Sequence, residues 1–202
     1  MMRDMPPPQK SHEMSLEDIV QLLKQYGVPY ETWGTGGTKF VSDLLTEILE
    51  GEATLEDREG VLMRKVDGVG LDVFAKIDGV MHYLVEDRQV FASDGTVRRR
   101  HLSTSLGEKV KPGEVAEVAM VRALLEELGV EMDASEVKVG DTSHKIVPSN
   151  SYPGILVDRA LTMGVVTLSQ DQVNPEGYVE HQPHKDNYFI WQRLEQDSAS
   201  QA

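Results

Sequence analysis

The sequence predicts an α/β protein: a mixed, largely antiparallel sheet carrying one amphipathic helix, preceded by an N-terminal helical hairpin. Three observations point there. Apolar residues recur at helical spacing between residues 15 and 50. From residue 60 the period shortens to that of strands, punctuated by Asp67-Gly68, Asp78-Gly79 and Asp94-Gly95, dipeptides that suit tight hairpin turns. One further helical stripe, from about Gly113 to Gly129, interrupts the strand-like run.

Residues 1–14 are Pro-rich and polar and read as a disordered, mobile N-terminus. Ser15, with Asp18 three positions on, resembles a capping box, and Leu16, Ile19, Val20, Leu22 and Leu23 form a stripe that ends at Gly27. A second helix is predicted over 38–50, where Phe40, Val41, Leu44, Leu45, Ile48 and Leu49 share a face. Together, residues 15–52 form a helical accessory segment expected to pack on the main domain. Between the helices lies WGTGGTK. It lacks the Gly-Lys-Ser/Thr order of a phosphate loop, so a flexible turn capping the second helix is the simpler reading.

Strands are expected at 61–66, 69–77, 80–92 and 96–102, then at 136–147 and 155–168, with a turn near Asp171–Asn174 and a last strand from Tyr188 to Leu194. Residues 60–195 thus make up the main domain, and 196–202 a frayed tail.

The formal net charge of −14 argues against tracking an extended nucleic acid or an anionic membrane. The charge is uneven. From Arg98 to Lys111, five basic residues (Arg98, Arg99, Arg100, Lys109, Lys111) face one acid, Glu108, a local +4 that leaves −18 elsewhere. A basic island beside an acidic helix suits a compact polyanion held with divalent metal, which makes Arg98, Arg100 and Lys109 substrate-binding candidates. A strand with solvated arginines on its outer face is the other reading, above all for Arg99. The chain has no cysteine, which removes thiolate chemistry and disulfides and agrees with a reducing compartment. No signal-peptide run and no stretch near the roughly 20 apolar residues of a membrane span is present, so a cytoplasmic protein without membrane contact is expected.

The segment from Gly107 to Val130, GEKVKPGEVAEVAMVRALLEELGV, carries the chemistry. As a helix, it sets Val118, Val121, Leu125 and Leu128 on one apolar side expected to pack on the sheet. Glu126 and Glu127 flank the direction of Ala123 on the other side, above small Ala116 and Ala119. Adjacent carboxylates with room around them suit hydrated Mg²⁺, which takes one or two protein carboxylates together with substrate phosphates.

This segment resembles the box of the Nudix superfamily: Gly, five residues, Glu, seven residues, then Arg-Glu-aliphatic-any-Glu-Glu-any-Gly-aliphatic. Glu114, Arg122, Leu124, Glu126, Glu127, Gly129 and Val130 fall in register, whereas Glu108 occupies the place of the leading Gly and Ala123 that of the second Glu. The resemblance, over 60–195, implies a Nudix-like α/β/α sandwich and Mg²⁺- or Mn²⁺-dependent pyrophosphohydrolysis of a small nucleotide substrate, a nucleoside diphosphate linked to another group. Carried over residue by residue, it makes Glu126 and Glu127 the principal metal ligands and catalytic groups, with Glu114 auxiliary. Arg122 would hold a glutamate in place and the carbonyl of Gly107 would complete the shell. A further carboxylate from beyond the box is expected from Glu180 or, second, Glu176. Ala123 can neither bind metal nor act as base, and Glu108 is strained if its place needs a positive φ. The alternative is therefore a catalytically impaired Nudix-fold protein serving as a nucleotide sensor or interaction module. A homodimer stays open.

Three lesser features remain. Tyr152, in the turn cluster PSNSYPG, could stack on a base or pack in the core. His181 and His184 could bind a transition metal or sit in a polar loop near the active-site mouth. His101 and His144 read as surface or satisfied core residues.

Overall fold

The computed structural model describes residues 14–194, and the expectations for the N-terminal run up to residue 13 and for the tail lie outside the described residues. The chain divides into two compact units, residues 1–65 with 146–158, and 66–145 with 159–202. The fold is α/β, built on an open and largely antiparallel sheet. No described helix is long and apolar enough to cross a membrane.

In the first unit, α1 (Leu16–Gln25) opens with the expected capping box: the Asp18 N–H donates to Ser15 Oγ at 3.2 Å and the Ser15 N–H to Asp18 Oδ2 at 2.9 Å. Such a cap contributes about 0.5–2 kcal/mol. α2 (Val41–Leu49) starts three residues after the expected bound at 38, because Thr38 is otherwise engaged. Its Oγ1 accepts the N–H groups of Gly34 (3.0 Å) and Thr35 (3.2 Å), so the glycine loop spends these donors on its own hydroxyl. β1 (Thr54–Arg58) and the start of β2 (Val61–Ile77) form a hairpin through Glu59-Gly60, both at positive φ (53° and 83°). Glu is a rare residue there, and the sequence shows no sign of this turn.

Ile19, Leu23, Val28, Trp33, Leu44, Leu62, Tyr152 and Ile155 build this unit's core. The rings of Trp33 and Tyr152 lie 5.1 Å apart, and Trp33 Nε1 donates to the Pro153 carbonyl at 3.0 Å. Tyr152 is 0% exposed, so of its two readings the core one holds and no ring face is left for a base. Arg64 and Glu47 are both buried; Nε donates to Oε2 at 3.1 Å, while Lys39 Nζ reaches Oε1 at 2.7 Å. Removing one partner of such a pair leaves a dry, uncompensated charge. Glu47→Ala should therefore lower unfolding free energy in denaturant titrations by about 3–5 kcal/mol, whereas Lys39→Ala, at a half-exposed position, should cost no more than about 1 kcal/mol.

The second unit holds β3 (Val80–Phe91), β4 (Val97–Arg98), β5 (Leu106–Lys109), α3 (Ala116–Leu128), β8 (Tyr178–Gln182) and β9 (Lys185–Arg193). With β6 (Lys138–Pro148) and β7 (Leu156–Leu168), the strand order is β6-β7-β2-β3-β9-β8, β5 pairing β2 and β4 pairing β3. The pairings β2–β3, β2–β5, β3–β4, β3–β9 and β8–β9 are antiparallel.

Two of the three Asp-Gly dipeptides are turns. Asp78-Gly79, at φ 49° and 81°, joins β2 to β3, and Asp94-Gly95 lies between β3 and β4. Asp67-Gly68 is not a turn: β2 runs straight through it, with Gly68 opposite Lys109 of β5. A Cβ on Gly68 would sit 3.2 Å from the Glu108 carbonyl, so this glycine serves close strand approach. The strand expected over 96–102 shrinks to β4, and beyond it the ladder gives way to side-chain bonding. Buried Ser105 accepts the Val73 N–H at 2.9 Å and donates to the Leu84 carbonyl at 2.6 Å. The last strand begins earlier than expected and is preceded by β8, a five-residue strand (YVEHQ) too short and too mixed in polarity to show an alternating pattern in the sequence. Pro183 and His184 make the connecting turn, and His181 Nδ1 lies 2.9 Å from Asp186 Oδ1.

The face of α3 also needs correction. Ala119, Met120, Ala123, Leu124 and Leu128 enter the core with Val69, Leu71, Val73, Leu84 and Leu106, whereas Val118 (46%) and Leu125 (49%) are exposed. Small residues decide it. Alanines let the helix axis approach the sheet more closely than a valine-leucine stripe would, and Gly164 of β7 makes way for Met120, whose sulfur occupies the place of a Cβ.

Candidate functional site

α3 is held at its entrance by Arg122. Its Nε and Nη2 donate to Glu114 Oε1 and Oε2 at 3.0 and 3.1 Å, and Nη2 also donates to the Lys109 carbonyl at 2.7 Å. Glu126 Oε2 lies 3.4 Å and Glu108 Oε2 3.6 Å from Nη1. The Lys111 N–H closes on Glu114 Oε2 at 2.8 Å, and Gly113, at φ 75°, turns the chain into the helix. One guanidinium thus ties β5, the turn and the helix. Arg122 pulls the Glu114 carboxyl below its ordinary pKa, chiefly by hydrogen bonding. Gly107 and Glu108 lie within β5, opposite Gly70 and Val69. Glu108 is not among the positive-φ residues, so the strain anticipated at the place of the leading Gly does not arise.

The two box carboxylates part company. Glu126 is exposed and turned toward Arg122, while Glu127 faces the sheet on the same side as buried Ala123. Glu127 is pushed up to about 8, first by burial and then by the charges of Glu180, Glu108 and Glu86, with Arg100 opposing. These residues come from α3, β8, β5 and β3, so the site draws on four elements of the second unit.

Glu86 owes its place to a β-bulge. Simple alternation would send Glu86 and Gln89, three apart, to opposite faces of β3. The β3–β9 register shifts between Glu86 and Arg88, and both side chains are buried. Gln89 then stands in a row across the sheet, opposite Arg98 on β4 and Asn187 on β9, with Asn187 opposite Glu180 on β8. Arg98 donates from Nε and Nη2 to Gln89 Oε1 at 3.0 and 2.6 Å, and Asn187 Nδ2 donates to Glu180 Oε2. Asn187 Oδ1 is buried with no hydrogen-bond partner among the described residues.

The basic island is paired rather than free-standing. Arg100 donates to both oxygens of Glu86, at 2.8 Å from Nε, and Arg99 bonds Asp87. Arg100 is half-buried beside Glu86, whereas Arg98 and Arg99 are exposed. Glu176 sits in the turn before β8, its N–H on Asn174 Oδ1 at 3.1 Å. Sequence reasoning missed Glu86, Glu108, Gln89, Asn187 and Lys185. Lys185 is shifted below the usual lysine range, first by burial and then by Arg100. The available signal was a run of four polar residues, Glu86-Asp87-Arg88-Gln89, interrupting an otherwise strand-like stretch.

No three of the described His, Asp and Glu side chains converge as a preformed metal cage. The donor set still fits a hard divalent cation. Glu127, Glu180, Glu108 and Glu86 concentrate negative charge where Arg100 is the opposing influence, and Mg²⁺ needs only one or two carboxylates when phosphate and water complete its shell.

No protein-family model matches the chain, and no curated protein matches it. Several solved Nudix and MutT structures do resemble it. A C. elegans Ap4A hydrolase is 15% identical, over 63% of this chain and 79% of that one, at a TM-score of 0.33. The NUDIX domain of Shewanella oneidensis NrtR complexed with ADP ribose is 12% identical, over 64% and 73%, at 0.39. A MutT/nudix family protein from Enterococcus faecalis is 15% identical, over 84% and 55%, at 0.39. Such values leave the weight on the chain's own motif: a Nudix-like box folded as loop, helix and glycine-capped end on an open sheet.

The Glu127 carboxyl has a sign-definite effect on stability. Folding raises its pKa from 4.5 to about 8, so the stability it contributes is present in full below pH 4.5 and is lost as pH rises through about 8. In metal-free buffer, Glu127→Gln should melt increasingly above the unaltered protein as pH goes from 5 to 8 in thermal scans. Added Mg²⁺ should raise the melting temperature of the unaltered protein and leave the variant nearly unmoved.

Proposed function

We propose that the chain is a divalent-metal-dependent pyrophosphohydrolase of the Nudix type, cleaving a nucleoside diphosphate linked to another group. The observation that supports it most is Glu127, half-buried and within the fields of three further carboxylates. A protein gains nothing in stability from that arrangement, and a bound cation relieves it. Glu127 and Glu180 would hold the metal, with Glu126 and the Gly107 carbonyl as further oxygen donors. The metal, when bound, neutralises the diphosphate and acidifies a water. Arg122 is a positioning residue: it fixes the turn and the helix start. Glu114 and Glu108 are both tied to the Arg122 guanidinium, whereas Glu180 accepts only from the neutral amides of Gln182 and Asn187, which makes it the carboxylate to accept a proton in place of the missing acid at Ala123. Arg98, Arg100 and Lys109 supply positive charge beside them for the phosphates, and Asn187 Oδ1 is an acceptor ready for a donor on substrate or water.

A second reading is favoured by Ala123 itself. It is fully buried in the core and brings no acid to the site, which suits a ligand sensor that binds a nucleotide without turning it over.

One experiment separates the two. Purified protein with Mg²⁺ or Mn²⁺, assayed against a panel of nucleoside diphosphate derivatives, should release phosphate-containing product, and Glu127→Gln should lower that rate by about 10²-fold or more. Calorimetric binding with no product supports the sensor. Neither turnover nor binding with either metal contradicts both.

A further inference from the structure

We propose that the outer edge of β6 is a homodimer interface, in which two copies of this chain pair their β6 strands antiparallel about a two-fold axis at Ser143. β6 ends the strand order, and all eleven of its residues, Lys138–Pro148, are exposed. An end strand of that length presents a row of backbone donors and acceptors, a ready template for another strand.

Two-fold symmetry narrows the register. Residues that face each other across an antiparallel pair must both aim their backbone groups outward or both inward, so under a two-fold axis a residue pairs only with one an even number of positions away. The register centred on Ser143 sets Asp141 opposite Lys145 and Val139 opposite Val147 of the second copy, each match occurring twice. These five residues occupy alternate positions and share one face, which reads Val-Asp-Ser-Lys-Val, apolar at both ends and opposite in charge about its centre. Moving the axis to Thr142 sets Asp141 against Ser143 and Val139 against Lys145. Moving it to His144 sets Asp141 against Val147. Only the Ser143 register satisfies charge and hydrophobicity together. Pro148, which lacks an N–H, ends the ladder opposite Lys138.

Edge strands that resist pairing carry charges that repel a second copy. Here the acid and the base lie equidistant from the centre, so the same charges attract. The chemistry selects a second copy of this chain over a foreign strand, because the complement of the edge is the edge itself.

Sedimentation equilibrium of the full chain should show a species of twice 22.5 kDa that grows with concentration. Asp141→Lys and Lys145→Asp should each weaken it by about tenfold or more, since each puts like charges face to face twice. Both changes in one chain exchange the partners and should restore the dimer. Circular dichroism of the variants should match the parent, because both side chains are exposed, and their melting should match it at concentrations too low for the parent to pair. A monomer at every concentration overturns the proposal, as does a dimer indifferent to the single reversals or one that the double reversal fails to restore.

Discussion

The partial burial of Glu127 beside the sheet is the constraint on which the second unit turns. A carboxyl at that place is costly, since it loses water and meets the fields of Glu180, Glu108 and Glu86. The surrounding sequence makes the placement unavoidable. Ala119 and Ala123 bring α3 close to the strands, Gly164 admits Met120, and the Arg122 bridge to Glu114 and Lys109 fixes where the helix begins. Every element that could relax to free Glu127 is held by a packing or hydrogen-bond requirement of its own. On the proposed function, strain kept in this way within the fields of several carboxylates is relieved when a cation binds.

The first unit uses the same device for a different end. Arg64 and Glu47 are also buried charges, but each is the other's partner, and the Tyr152 ring lies 5.3 Å below the guanidinium. Charge is closed there and open around Glu127. On the proposed function, that contrast separates a buried polar group that fixes packing from a half-buried one that takes a cation.

Much of the fold was legible in the sequence because its signals are local. The Ser15–Asp18 box, the Asp78-Gly79 turn and the left-handed Gly129 cap each depend on a few neighbouring residues. Features that depend on a distant strand were not legible. Gly68 looks like half of a turn until β5 is seen against it, and Glu59-Gly60 forms a turn that its residue types do not announce. The helix face failed for a related reason: apolar size predicts a core stripe only when the gap to the sheet is wide, and here alanines close the gap. In the site, the box located Glu127, Arg122 and Glu114. The β3 bulge that turns Glu86 inward, and the strand β8 that carries Glu180, are properties of pairing which no linear pattern records.

The most direct test is a proton count. Titrating Mg²⁺ into the protein near pH 7 in buffers of different ionisation enthalpy reports how many protons leave as the ion enters. If Glu127 carries a proton in the ion-free protein and surrenders it to become a ligand, about one proton should be released per ion, and Glu127→Gln should abolish the release. Metal binding with no proton release from the unaltered protein, or release that persists in the variant, would contradict Glu127 as the strained centre of the site.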